Sequence, residues 1–253
     1  MLRYPLLASF VWLILLIAAT AFGAWLRKVR PLTDDERQDF STVQAATLTL
    51  LGLIIGFSFS MATSRYDLRK TYEEEEANAI GTEYARAGLL PSTDAANVRD
   101  RLAKYLAVRI SFYTARGDDA QQGVNEETGR LQTDLWNAVE GPAHAQPTPI
   151  VALAVSGMND VLNSQGYAQA AAWNRIPTSA WALMIAIAVC GCFLIGYGAR
   201  EKSGRGRFLL IALPLVVSIA LLLIADIDSP RRGLIHVVPQ NLESLANSLP
   251  ASR

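Results

Sequence analysis

The chain has 253 residues, with 23 basic against 23 acidic side chains, two His and two Cys. Of these residues 51% are hydrophobic and only 18% charged, and the mean hydropathy is +0.21, whereas globular chains run near 25% charged. This excludes a disordered or collagen-like chain, a disulfide scaffold and a histidine-based metal cage, and zero net charge argues against a nucleic-acid partner.

The apolar bias is concentrated. Residues 5–26, 40–64, 176–199 and 208–225 contain no charged side chain. A helix crosses the hydrocarbon core with about 20 apolar residues. The first three stretches reach that length, and the shorter fourth tolerates Pro214 as membrane helices do. The first stretch also has features of a cleaved signal peptide: Arg3, an apolar core at 6–18 and Ala19-Thr20-Ala21. Against cleavage, apolar residues continue through Trp25 and Leu26 before Arg27, Lys28 and Arg30.

Four spans place both termini and residues 65–175 on one side, with loops 27–39 and 200–207 opposite. Those loops hold Arg27, Lys28, Arg30, Arg37, Arg200, Lys202, Arg205 and Arg207. Arg3, Arg65, Arg69, Lys70, Arg175, Arg231 and Arg232 lie near the span ends on the other side. Eight cations against seven lean the large domain towards the periplasm of a bacterial inner membrane.

Residues 65–175 show helical periodicity and no strand alternation. Segment 64–90 continues the second span as one helix and ends at Leu90-Pro91-Ser92. A helix over 94–116 carries Val98, Leu102, Tyr105, Leu106, Ile110 and Tyr113, and Gly117 stops it. A third over 125–140 closes at Gly141-Pro142. A fourth starts at Thr148-Pro149, runs to about Ala172, and is separated from the third span by Pro177. The predicted fold is all-α. It comprises transmembrane helices 1 and 2 in 1–64, an extramembrane helical domain in 65–175, transmembrane helices 3 and 4 in 176–227, and a tail in 228–253.

No phosphate loop, nucleophile elbow, HExxH or CxxC is present, so the sequence nominates no catalytic residue, enzyme activity or cofactor. Cys190 and Cys192 read as small packing residues, and His144 and His236 as surface histidines. The second span is more informative. Thr49, Gly52, Gly56, Ser60 and Thr63 form a stripe of small and hydroxyl-bearing residues, with Leu50, Ile54, Phe57 and Met61 on the other side. Gly52 and Gly56 make a GxxxG. The stripe either packs helices or lines a pore whose apolar rings gate by dewetting.

Glu73-Glu74-Glu75-Glu76 follows. Four consecutive residues sweep most of a helix circumference. Glu73 has Arg69, and Glu74 has Lys70, four residues before it. Glu75 and Glu76 have no such cation. They are either solvated, or meet a cation from another helix or subunit, or bind a metal ion. Asp226 and Asp228 emerge on the same side with Arg231 and Arg232. Together with a glutamate, the aspartates offer either an ion-pair network or a set of hard oxygens for Ca²⁺.

The run from Gly56 to Ala62, then Arg65-Tyr66-Asp67 and Glu76-Ala77-Asn78-Ala79, resembles the bestrophin-like bacterial membrane family of unknown function. The ending Ala225-Asp226-Ile227-Asp228-Ser229-Pro230, with Gly233-Leu234-Ile235 and Pro239, resembles it too. That family is distantly similar to bestrophins, which are pentameric anion channels with an apolar neck on the second span and a cytoplasmic large domain. The resemblance lays the neck on Thr49, Leu53 and Phe57. Thr49 departs from an apolar neck, Tyr66-Asp67 from the paired aromatics after the arginine, and the calcium-binding acidic cluster of animal bestrophins is reduced to Asp226 and Asp228. The expected function is an oligomeric ion channel, passing small inorganic ions such as anions through a pore lined by the second span. Gly52, Gly56 and Ser60 would pack helices, and Arg65, Glu75, Glu76, Asp226, Asp228 and Arg231 would form a charge network or ion site. The alternative is a non-conducting scaffold or sensor whose helical domain binds a partner. Both readings imply a lipid bilayer and a homo-oligomer.

Overall fold

The computed structural model describes residues 5–199, 204–231 and 233–250, with the side chains of Pro5 and 204–209 left aside. Arg3, Arg200, Lys202 and Arg232, and the side chains of Arg205 and Arg207, lie outside the described residues. The helices are α1 (Pro5–Val29), α2 (Asp34–Arg86), α3 (Ser92–Thr114), α4 (Asp118–Ala145), α5 (Pro149–Trp173), α6 (Thr178–Gly198), α7 (Gly204–Asp228) and α8 (Gln240–Ser248). A 3₁₀ turn at Ala87–Leu89 follows α2. There is no strand among the described residues.

Four helical stretches, within Leu6–Val29, Asp34–Leu89, Pro149–Gly198 and Leu210–Asp228, are long and apolar enough to cross a membrane. The chain divides into two compact units, Met1–Ser64 with Arg175–Ile235, and Arg65–Asn174 with His236–Arg253. The 53 residues of α2 contribute to both units.

The membrane-spanning unit is held by close helix approach and a few interhelical hydrogen bonds, the forces available where burial from water is not. Trp12 of α1 stacks on Trp181 of α6 with ring centroids 5.2 Å apart. Further along, Gly23 of α1 lies against the Phe193 carbonyl, and Gly196 of α6 against the Thr20 carbonyl. Any side chain at either position would drive the two backbones apart. Ser218 of α7 donates to the Ser9 carbonyl at 3.1 Å, and Gln44 of α2 to the Leu194 carbonyl at 3.4 Å.

The extramembrane unit has a conventional hydrophobic core, with Ile80, Leu102, Leu106, Leu135, Met158 and Leu242 buried together. The structure differs from the sequence expectations at three places. The third helix starts at Asp118, after Gly117 at φ 93°, and continues past Pro142 to Ala145. Asp118 and Asp119 favour the early start through the helix dipole. Past the proline only the last turn remains, closed by Gln146 N–H on the Pro142 carbonyl at 2.9 Å. The tail contains α8, whose buried Leu242 joins the core and whose Leu245 covers Gly81. Finally, the first predicted loop is mostly helix. α1 runs to Val29 and α2 begins at Asp34, where Thr33 and Glu36 form a reciprocal capping box.

Candidate pore helix and its carboxylates

One stripe of α2 packs against α6. Leu51 and Ala62 are buried, Leu48 and Leu51 lie against Gly191, and Phe40 and Gln44 against Gly198. At 100° per residue, Thr49, Leu53, Gly56 and Ser60 fall on the opposite face, with Phe57 and Gly52 flanking them. All six are exposed in the protomer, Phe57 at 65% and Leu53 at 52%. A side chain built on Gly52 or Gly56 would meet no atom within 4 Å. The hydroxyls on this helix are satisfied locally: Thr49 donates to the Ala45 carbonyl at 2.9 Å and Thr63 to the Phe59 carbonyl at 3.0 Å.

The other exposed membrane faces have a different composition. α1 exposes Leu6, Phe10 and Ile14, and α7 exposes Ile211, Leu215 and Ile219. Such bulky side chains match lipid tails. The exposed side of α2 also carries Val43, Leu50, Phe59 and Met61, but between them, around Leu53 and Phe57, it sets the small or hydroxyl-bearing Thr49, Gly52, Gly56 and Ser60.

The four glutamates have separate fates. Glu74 and Glu75 are exposed. Glu73 is buried and takes the N–H groups of Asn241 and Leu242, each at 2.9 Å, and the Asn241 side-chain amide at 2.6 Å. It thus caps α8 with negative charge at the positive end of the helix. Glu76 is fully buried, and the cation that meets it is Arg109 of α3. Arg109 Nε and Nη2 both donate to its carboxylate, the second at 3.3 Å, and Tyr113 donates at 3.2 Å. The guanidinium also lies 4.1 Å from the Phe112 ring centroid. Burial opposes the Arg109 charge, but the Glu76 carboxylate outweighs it, and the net shift raises the arginine pKa. Burial raises that of Tyr113 too, with Glu76 adding to it.

Asp226 and Asp228 bind backbone. Asp226 takes the Leu234 and Ile235 N–H groups, each at 2.8 Å, and clamps the turn after α7. Asp228 takes the Ile176 N–H at 3.1 and 3.2 Å and ties the approach to α6 to the end of α7. Arg65 and Arg231 are half-buried. Among the described residues, no group of three or more His, Cys, Asp or Glu side chains is arranged to hold a metal ion. Both aspartates thus accept from backbone N–H groups at the end of α7.

Sequence reasoning missed Arg109 and Glu83, although a signal existed for both. Arg109 continues the buried stripe of Leu102, Tyr105 and Leu106, and Glu83 continues that of Glu76 and Ile80. A charge on an apolar stripe marks a buried partner or a buried ionisable group.

An all-helical chain with four membrane-crossing stretches and a helical bundle inserted after the second is a multi-pass membrane protein. The model of the bestrophin-like domain matches residues 9–242, and the chain belongs to the bestrophin-like family. Its fold is similar to that of a bacterial bestrophin homologue from Klebsiella pneumoniae, at 14% identity and a TM-score of 0.67, over 95% of this chain and 99% of that one. A point mutant of that homologue gives 12% identity and a TM-score of 0.68, over 94% and 98%. No curated protein matches the sequence.

Proposed function

We propose that the protein is an oligomeric ion channel of the bacterial inner membrane, with the outward face of α2 turned to a common axis. The carrying observation is the composition of that face. Thr49, Gly52, Gly56 and Ser60 are exposed where α1 and α7 expose leucine, isoleucine and phenylalanine. Small residues let helix backbones approach, and hydroxyls suit water. Leu53 and Phe57, one helical turn apart, would form an apolar constriction that conducts only when wetted. Family membership supports this reading and points to small inorganic ions, anions by likeness to bestrophins. Helix packing between protomers and pore lining divide the same stripe, with Gly52 and Gly56 towards a neighbour and Thr49, Leu53 and Phe57 towards the axis.

Ion flux from liposomes containing purified protein tests the proposal. The wild type is expected to release trapped ions faster than empty liposomes, and Phe57→Ala to raise the flux by widening the constriction. Wild-type flux equal to that of empty liposomes, unmoved by Phe57→Ala, would sink it. A stoichiometric partner on a non-conducting protein with a lipid-filled axis would favour a scaffold instead.

A further inference from the structure

Glu83 is fully buried in the extramembrane unit, and neither of its carboxyl oxygens has a hydrogen-bond partner. Its Oε2 occupies the space that a side chain at Gly157 of α5 would fill. The same notch is bordered by Arg86, whose Nη1 lies 2.7 Å from the position of that absent Cβ. Arg86 in turn pairs with Asp160, one turn after Gly157, at 3.7 Å. Asp160 is mostly exposed, while Glu83 on the other side of the arginine sees no water. One guanidinium therefore stands between an outer carboxylate that it pairs with and an inner carboxyl that it does not.

We infer that Glu83 is a proton-operated latch between α2 and α5, closed when the carboxyl is protonated in the Gly157 notch and released when it ionises. A neutral carboxyl fits a buried notch that gives it no hydrogen bond, whereas an ionised one without donors is strongly disfavoured there. On losing its proton the side chain must swing towards Arg86 and water, competing with Asp160 and loosening the α2–α5 contact. Burial pushes the Glu83 carboxyl up to about 8, against the pull of Arg86 and with a further push from Asp160. The latch is thus closed at low pH and opens as pH rises through that value.

The charges facing the notch are Arg86 from its own helix and Asp160 from α5. The 3₁₀ turn at Ala87–Leu89 carries no charge. Arg99 of α3 is held by the Tyr84 carbonyl at 3.0 Å and the Tyr84 ring. On α8, which reaches α2 through Leu245, the charged residue is Glu243. The inference concerns the packing of the extramembrane unit and holds whether or not the protein conducts.

Amide hydrogen exchange on the full-length protein in lipid nanodiscs tests it, read on peptides covering residues 150–165 between pH 6 and 9.5 and corrected for intrinsic exchange. The wild type is expected to lose at least about tenfold in protection in one step, which begins below pH 8 and levels off above about that value. Glu83→Gln cannot ionise and is expected to show no step. Asp160→Asn removes a charge that raises the carboxyl, so its step moves to lower pH. An unchanged step in Glu83→Gln, or no step in the wild type, overturns the latch. If Glu83→Gln fails to fold, an Asp160→Asn midpoint equal to the wild type's overturns it alone.

Discussion

Arg109 and Glu76 form a buried ion pair in the extramembrane unit, both side chains without solvent exposure. The net worth of such a pair is small, because desolvation of both charges offsets their attraction. Its loss is costly when only one partner goes. Arg109→Met leaves Glu76 with the Tyr113 hydroxyl alone and an uncompensated charge, so a destabilisation of about 3–5 kcal/mol is expected. Adding Glu76→Gln removes that charge and should recover much of the loss. Thermal or denaturant unfolding of the single and double variants measures both, and additive losses would contradict the pairing. The interaction was half legible in the sequence. Glu76 lacked a partner within its own helix, which left water, a cation from another helix or subunit, or a metal ion as its surroundings, and only packing brings together residues 33 positions apart.

At the scale of elements, the two kinds of glycine separate what holds the protomer from what faces outward. The sequence drew attention to Gly52 and Gly56 through their GxxxG spacing, yet neither has an atom within 4 Å of its would-be side chain. The tight crossing lies at Gly23 and Gly196, isolated glycines whose importance depends on the helices they meet. A methyl at Gly23 would overlap the Phe193 carbonyl and lie 2.8 Å from the Tyr197 nitrogen, so neither partner is a side chain that can turn aside. Gly23→Ala should therefore lower stability by at least about 1–3 kcal/mol. Gly56→Ala should leave the unfolding transition of the protomer within about 0.5 kcal/mol and act, if anywhere, on subunit association. Unfolding midpoints and size-exclusion profiles in the same detergent distinguish the two, and equal effects on the protomer would refute the assignment. The elements themselves were mostly legible, because long charge-free runs and Pro or Gly stops act locally. The misplaced boundaries had non-local or late-acting causes. The α8 helix depends on Glu73 and on a core contributed from far away in sequence, and Pro142 sits too near the end of α4 to stop it.

For the whole molecule, the open property is the side of the membrane on which residues 65–174 lie. The count of cations in short loops favoured the periplasm by one residue, whereas likeness to bestrophins implies the cytoplasm. The structure changes the weight of individual cations. Arg27 and Lys28 sit in the last turn of α1 and Arg37 in the second turn of α2, joined by a connection of a few residues. Short connections of this kind are where the charge rule acts. Arg69, counted on the opposing side, is buried and donates to the Ala171 and Asn174 carbonyls at 3.2 Å each. It serves the fold of the extramembrane unit, as Arg27, which donates to the Tyr197 carbonyl at 3.3 Å, serves that of the membrane-spanning one, so we propose the periplasmic orientation on the loop cations alone. Asn125 on α4 is exposed and provides a reporter. With Cys190 and Cys192 of α6 replaced by alanine, Asn125→Cys should react with a membrane-impermeant maleimide in intact cells. Reaction only after permeabilisation would place the unit in the cytoplasm and hand the argument to the family likeness. The capping turn at 30–33 would then lie outside, with its cations on the side the charge rule disfavours.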